Sequence, residues 1–161
     1  HMLKMLKLNN IFTIGIDTKT EKFDVCKENG AEFSVSPMEN DLNNKIADYT
    51  QGNDLDVVID FVSSKSSLEL GASILGKGGR LVTLGGSGEQ FLANSADMLV
   101  KELELIGSRY CTKQELKESL DLYARGLIKP LVSHKTDFNG AEELHNKIET
   151  GDITGRAGIL I

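Results

Sequence analysis

The chain has 161 residues, of which 40% are hydrophobic, so it can bury a core and is close to the usual size of one domain. A formal net charge of -6 without a dense Lys/Arg cluster argues against a nucleic-acid partner, because such proteins concentrate positive charge on one surface. No apolar run approaches the roughly 20 residues that cross a bilayer, and no signal-peptide pattern opens the chain. We therefore expect a soluble, cytoplasmic protein that binds neither membranes nor nucleic acid.

The first thirty residues predict one strand followed by one helix. His1-Met2 is typical of an expression scar, and the pattern from Leu3 has no helix cap before it, so we expect the chain to begin inside an element. Ile11–Asp17 is uncharged until its last residue, as expected of a strand buried on both faces. Thr18–Glu21 has the spacing of a capping box and predicts a helix that Gly30 would end.

The rest of the chain continues this alternation. Gly76–Gly79 predicts a turn that needs a positive φ. Further strands are predicted at Phe33–Ser36, Val57–Val62, Arg80–Leu84 and Leu103–Ser108, with a last apolar run at Ala157–Ile161. Helices are predicted around residues 42–49, 66–75, 96–101, 116–127 and 141–149. The order predicts an α/β fold with a doubly wound, Rossmann-like parallel sheet, in which ligands bind beyond the carboxyl ends of the strands.

Catalytic and metal-binding residues are not evident. Cys26 and Cys111 are far apart and lack CxxC spacing, so we expect reduced thiols and no cysteine zinc site. His134 and His145 have no partners at ligand spacing, and no Ser/His/Asp or Cys/His set can be assembled. We therefore predict neither a catalytic residue nor a metal site in this chain.

Asp17 is the first candidate for ligand binding, because it ends a predicted strand. A carboxylate there accepts hydrogen bonds from the hydroxyls of an adenosine ribose, and it favours NAD over NADP because a 2′-phosphate would meet like charge. The alternative is an exposed aspartate that interacts with a helix dipole. Lys19 and Lys22 would flank the adenosine, or would simply be solvated.

Glycines and one arginine complete the candidates. Gly85–Gly88 would let the backbone approach a flat ligand, although glycines after a strand are also ordinary turn residues. Arg156 would pair with a pyrophosphate through its guanidinium, or lie on the surface. No G-x-G-x-x-G loop precedes Ile11, so we expect the usual pyrophosphate cradle to be absent.

Five segments together resemble the coenzyme-binding part of the medium-chain dehydrogenase/reductase family, in its zinc-type alcohol dehydrogenase branch. They are IGIDTKTEKFDVCKENGAE, DLDVVIDFVSS, LGKGGRLVTLGG, LELIGSRYCTKQELKESLDLYARGLIKPLV and DITGRAGILI. The resemblance implies a domain that binds NAD(H), in a protein that transfers hydride between an alcohol and nicotinamide with the help of a catalytic zinc.

The resemblance also assigns roles to individual residues. Asp17 would hold the adenosine ribose with Lys22 beside it, and Arg156 would reach the pyrophosphate. Phe61 and Val62 would line the ribose-side cleft. The backbone of Leu84 and Gly85 would meet the nicotinamide carboxamide, helped by the backbone of Arg109 and Tyr110.

The resemblance implies that residues 3–161 form a partial dinucleotide-binding domain, cut off at its first strand and glycine loop. The catalytic zinc domain would be missing, so the chain would be inactive alone and would bind NAD weakly or not at all. The family pattern further implies a homo-oligomer that joins through the edge strand Leu103–Ser108.

Two alternatives remain open. A class I methyltransferase also has an acidic residue after its second strand, but it would finish with an antiparallel hairpin. The second alternative is a non-enzymatic association module, since unpaired strand edges and apolar faces favour self-association.

Overall fold

The computed structural model describes residues 2–161 and shows an α/β fold whose strands pair in parallel. His1, half of the predicted expression scar, lies outside the described residues. The strands are β1 Ile14–Ile16, β2 Phe33–Val35, β3 Leu55–Asp60, β4 Leu75–Thr83, β5 Glu104–Gly107, β6 Val132–Thr136 and β7 Arg156–Ile159. The helices are α1 Met2–Leu8, α2 Phe23–Glu28, α3 Leu42–Tyr49, α4 Lys65–Ile74, α5 Ser95–Lys101, α6 Lys113–Ala124 and α7 Ala141–Glu149. The fold class predicted from the alternation is confirmed.

The chain forms two compact units, and the first consists of the residues up to Glu39 together with Lys113–Ile161. It contains two separate parallel pairs, β1 with β2 and β6 with β7. Ile16 lies opposite Val35, which is only 2% exposed. Because the last two strands pair in parallel, the antiparallel hairpin expected for a methyltransferase is not formed.

The second unit, Asn40–Thr112, is built on a parallel sheet with the order β3-β4-β5. Its core is formed by Leu68 of α4 with Leu75 and Leu81 of β4, each 5% exposed or less. The three side chains pack together where α4 meets the sheet, and their burial stabilises this unit through the hydrophobic effect.

The start and the packing of α4 follow from short-range sequence signals. Ser64 caps the helix by accepting a hydrogen bond from the backbone of Ser67, whose own side chain accepts one from the backbone of Ser64. Gly71 allows the helix to lie close to the sheet, because a Cβ there would be 2.9 Å from a methyl group of Leu81.

The predicted capping box at Thr18–Glu21 is wrong. The segment forms a 3-10 turn, Thr20–Lys22, without a side-chain capping hydrogen bond, and α2 begins only at Phe23. The segment turns instead at Asp17, whose Oδ1 accepts a hydrogen bond from the backbone N–H of Lys19 at 2.9 Å. Gly30 has a φ of 106° directly after the helix, so its predicted role at the helix end is confirmed.

β4 begins five residues earlier than Arg80, at Leu75, because Leu75 is buried and lies opposite Leu55. The predicted Gly76–Gly79 turn is instead an irregularity within the strand, where the register with β3 shifts. Gly78 has the predicted positive φ, 71°.

β6, Val132–Thr136, was not predicted, because its sequence VSHKT lacks a run of apolar residues. It is held by long-range pairing with β7. None of the helices among residues 2–161 is long and apolar enough to span a membrane.

Candidate functional site

In the first unit, Asp17 lies directly beyond β1 and is held on both carboxylate oxygens. Its Oδ1 accepts the hydrogen bond from the backbone of Lys19, and Lys22 Nζ lies 3.7 Å from its Oδ2. The Asp17 side chain is 32% exposed, so this carboxylate remains accessible. Oδ2 therefore has room to accept hydrogen bonds from a ligand hydroxyl.

Lys19 extends away from Asp17 toward the loop between α7 and β7, residues 150–155, which we call the tail loop. Its ammonium donates a hydrogen bond of 2.6 Å to the carbonyl oxygen of Gly151 and lies 3.6 Å from the carboxylate of Asp152. The pKa of Asp152 is below its usual value because it accepts a hydrogen bond from the Thr150 hydroxyl and because Lys19 is close. Lys19 thus connects the end of β1 to the tail loop.

Arg156 opens β7 immediately after the tail loop. Its backbone N–H donates to the carbonyl oxygen of Leu131 at 2.7 Å, and the preceding Gly155 has a φ of 95°. A Cβ on Gly155 would lie 2.4 Å from that same carbonyl oxygen, so this approach requires glycine. The exposed Arg156 side chain forms no hydrogen bond or ion pair with residues 2–161, which leaves its guanidinium available to an anion.

Cys26 lies on α2 behind the Asp17 carboxylate. Its pKa is raised, first because the thiol is partly buried and second because the charge of Asp17 disfavours a thiolate. A thiol with a raised pKa is protonated at neutral pH, so it is a poor nucleophile.

In the second unit, the carboxyl ends of the three strands are aligned. Asp60 of β3 lies opposite Thr83 of β4, which lies opposite Gly107 of β5. The residues that follow each strand therefore reach the same edge of the sheet, as expected for parallel strands. They include six of the predicted site residues, namely Phe61, Val62, Leu84, Gly85, Arg109 and Tyr110.

The loop after β3 is organised by Asp60, which is 7% exposed. Its Oδ1 accepts hydrogen bonds from the backbone of Val62 at 2.8 Å and of Ser63 at 2.9 Å, and its Oδ2 accepts one from Ser67 Oγ at 2.7 Å. Phe61 is 59% exposed and Val62 is 66% exposed. Asp60 thus fixes a loop that presents two apolar side chains to solvent.

The loop after β4 packs closely on the loop after β3. Leu84 N–H donates to the carbonyl oxygen of Asp60 at 2.9 Å, and a Cβ on Gly85 would lie 2.6 Å from the carbonyl carbon and oxygen of Val62. Ser87 Oγ donates to the carbonyl oxygen of Ser63. Gly85 is therefore needed for close approach within this unit, whatever ligand it contacts.

The loop after β5 carries Arg109 and Tyr110. The Arg109 guanidinium carbon lies 4.7 Å from the centroid of the Tyr110 ring, and Arg109 also donates a hydrogen bond of 3.3 Å to the Tyr110 hydroxyl. Tyr110 has a φ of 58° and is 87% exposed. The two side chains hold each other, and both residues are exposed.

The structure divides the predicted site residues between the two units. Asp17, Lys22 and Arg156 belong to the first unit, and the other six belong to the second. The sequence places Asp60–Ser63 at one of the strand ends where a ligand is expected, but sequence reasoning gave Asp60 no role of its own in holding the loop.

Two surface clefts are lined by none of the nine predicted site residues. One, of about 460 Å³, borders the amino ends of β3 and β4, near Leu55, Leu75 and Lys101. The other, of about 500 Å³, lies along the exposed side of α6, between Gln114 and Arg125. Among the described residues, no group of three or more His, Cys, Asp or Glu side chains is arranged to hold a metal ion.

The parallel α/β fold and the aligned strand ends are features of dinucleotide-binding dehydrogenase domains. The zinc-binding dehydrogenase family matches residues 1–125, most of the chain. The chain therefore belongs to the zinc-binding dehydrogenase family, and the resemblance inferred from the sequence is confirmed.

Individual proteins agree with this assignment. The chain is 27% identical over 143 residues to an NAD-dependent alcohol dehydrogenase of Sulfurisphaera tokodaii, covering 89% of the chain and 41% of that protein. It superposes on an alcohol dehydrogenase of Aeropyrum pernix with a TM-score of 0.87 at 25% identity, covering 96% of the chain and 44% of the other. An Escherichia coli alcohol dehydrogenase solved with NADH gives a TM-score of 0.81 at 25% identity. The match covers 92% of the chain and 44% of the Escherichia coli protein. The chain thus spans less than half the length of these proteins.

Proposed function

We propose that this chain is the NAD(H)-binding part of a zinc-type alcohol dehydrogenase, with residues 3–161 forming part of a dinucleotide-binding domain. The observation that carries the proposal is the Asp17 carboxylate, which lies at the end of a parallel strand with one oxygen accessible. NAD-dependent alcohol dehydrogenases among its relatives support the same cofactor class.

Asp17, Lys22 and Arg156 would bind the adenosine ribose and the pyrophosphate of the cofactor. Asp17 Oδ2 would accept hydrogen bonds from the ribose hydroxyls, and Lys22 would lie beside the ribose while it pairs with Asp17. The exposed Arg156 guanidinium would bind the pyrophosphate, whose charge and oxygen geometry suit its paired donors. The negative charge at Asp17 favours NAD over NADP.

The residues that follow β3, β4 and β5 would contact the nicotinamide end of the cofactor. Phe61 and Val62 would cover the ribose side with apolar surface, and the backbone of Leu84, Gly85, Arg109 and Tyr110 would meet the carboxamide. Val62 N–H donates to the Asp60 carboxylate and Leu84 N–H donates to the Asp60 carbonyl oxygen, so these two segments are held in place and need little ordering on binding.

Zinc does not fit the described residues of this chain, since no suitable cluster of ligands is present among them. The bound nicotinamide would exchange a hydride with an alcohol carbon, and this chain's residues would bind and orient the cofactor. In the whole protein the zinc ligands would belong to another domain. The chain alone would be inactive, and a cytoplasmic location stays a prediction.

The test is calorimetric titration of NADH and NADPH into this chain and into a form extended upstream through a glycine loop. Asp17→Ala removes a charged acceptor and should weaken NADH binding about 10- to 100-fold, while it narrows the preference for NADH over NADPH. Asp24→Ala, which removes an exposed carboxylate on α2, should change neither affinity. Failure of the folded, extended form to bind NADH would contradict the proposal, and S-adenosylmethionine would then be titrated.

We further propose that the chain self-associates through β5. This strand is at the edge of its sheet, and all four of its residues are exposed, including Leu105 at 42% and Ile106 at 39%. Unpaired edges with apolar side chains favour pairing with a second copy. Sedimentation equilibrium at micromolar concentration should show an oligomer, and Ile106→Lys should shift it toward monomer; a monomeric wild-type chain would contradict the proposal.

A further inference from the structure

Lys19 touches two segments that are far apart in sequence. Its backbone N–H donates to Asp17 Oδ1 at 2.9 Å, and its ammonium donates to the carbonyl oxygen of Gly151 at 2.6 Å. The ammonium also lies 3.6 Å from the carboxylate of Asp152. The side chain is therefore directed at the tail loop, whereas Lys22 pairs with the other oxygen of Asp17.

The tail loop is shaped to receive this ammonium. Gly151 has a φ of 71°, and a Cβ there would lie 3.3 Å from Lys19 Nζ, so the side chain rests directly on this glycine. Asp152 N–H donates to the carbonyl oxygen of Lys147 at 2.8 Å, and Thr150 Oγ1 lies 2.8 Å from the Asp152 carboxylate. These bonds give the loop a defined conformation at the point where Lys19 binds.

We propose that Lys19 is a positioning residue that fastens the tail loop to the Asp17 segment, and thereby couples ribose binding at Asp17 to pyrophosphate binding at Arg156. The coupling rests on the proposed function, because it needs a ligand with both groups. Arg156 follows the tail loop directly, and this loop has glycines with positive φ at both ends, Gly151 and Gly155. Without the Lys19 contact, the loop would have more conformations to lose when a pyrophosphate is bound.

The fastening itself is tested without ligand. In Lys19→Met, the pKa of Asp152 followed by carbon-13 NMR should rise toward its usual value, and the Asp152 amide should exchange with solvent faster. Lys22→Met removes the same charge one turn away and should leave both quantities unchanged. Equal effects of the two substitutions, or no effect of Lys19→Met, would overturn the proposal.

The coupling is tested by NMR titration of the 161-residue chain with ADP-ribose at millimolar concentration. Lys19→Met and Arg156→Met should each weaken the affinity for ADP-ribose. If the two residues are coupled, the fold-loss of affinity in the double variant should be at least about threefold smaller than the product of the two single fold-losses. Lys22→Met combined with Arg156→Met is the control, and its fold-loss of affinity should equal the product of the two single fold-losses. If the fold-losses of the Lys19 and Arg156 variants also multiply, the coupling is overturned but the proposed function is not. A wild-type chain that binds no ADP-ribose would overturn the coupling in this chain. The proposed function would be overturned only if the extended form also fails to bind NADH.

Discussion

Replacing Gly85 by alanine would test how closely the loops after β3 and β4 must approach each other. The new Cβ would lie 2.6 Å from the carbonyl carbon and oxygen of Val62 and 2.8 Å from the carbonyl oxygen of Phe61. These are backbone atoms, and the Val62 N–H is bonded to Asp60, so no side-chain rotation relieves the overlap. Ordinary contact begins near 3.4 Å, so the two segments must separate by about 0.8 Å, the difference between 3.4 and 2.6 Å.

The expected cost combines two opposing effects. Overpacking a well-packed site costs about 1–3 kcal/mol. Alanine also lowers the conformational entropy of the unfolded chain, which stabilises the protein by about 0.4–1 kcal/mol. Gly85→Ala should therefore lower the free energy of unfolding by about 1–2 kcal/mol. Gly86→Ala is the matched control, since a Cβ there meets nothing within 4 Å and its φ is not positive.

The free energies are measured by urea unfolding followed by circular dichroism. Gly86→Ala should be neutral or stabilising by up to about 1 kcal/mol, because only the entropic effect applies. Binding of NADH to the extended form should also be weaker for Gly85→Ala, since the carboxamide would meet this segment. The steric reasoning is refuted if the two substitutions change stability equally.

Two further predictions concern carboxylates. Asp60→Ala should lower the free energy of unfolding by about 3 kcal/mol, because three donors lose a buried acceptor. Asp60→Asn should lower it by less. A decrease below about 1 kcal/mol for Asp60→Ala would contradict this reasoning. Partial burial would raise the pKa of Glu32, but hydrogen bonds from Lys7 and Thr13 hold it below its usual value. A lowered pKa stabilises the folded state above the unfolded value of about 4.3, and this stabilisation is lost as the pH falls through the lowered pKa. Glu32→Gln should therefore be less stable than wild type at pH 7 and approach it at pH 2; an equal difference at both pH values would argue against this.

The fold was predictable wherever local pattern and burial agree. β3 and β5 were predicted to within about two residues, because short runs in which apolar residues predominate are typical of strands in parallel sheets. β6 was missed because its sequence VSHKT shows no such run, and only its pairing with β7 makes it a strand. The capping box failed because its pattern cannot reveal that the chain turns at Asp17, which accepts from the Lys19 backbone, and that α2 begins only at Phe23.

The site was predictable to the level of strand ends. Parallel strands bring their carboxyl ends to one edge, so the residues after β3, β4 and β5 could be placed at that edge from the sequence, while their binding roles stay predictions. The contact between Lys19 and Gly151 joins positions 132 residues apart, and no periodicity or motif signals it. Its ammonium was expected to flank an adenosine or to be solvated, and the structure directs it to the tail loop.

Two aspartates at strand ends show what structure adds to sequence. Asp17 and Asp60 each end a strand, and each accepts a hydrogen bond from the backbone N–H two residues further on, at 2.9 and 2.8 Å. Their second oxygens differ. Asp60 is 7% exposed and its Oδ2 is taken by Ser67, so it is saturated and holds its loop. Asp17 is 32% exposed and its Oδ2 has only a cation at 3.7 Å, so it can accept hydroxyl donors from a ligand. The second oxygen therefore decides which of two sequence-equivalent carboxylates is available for binding.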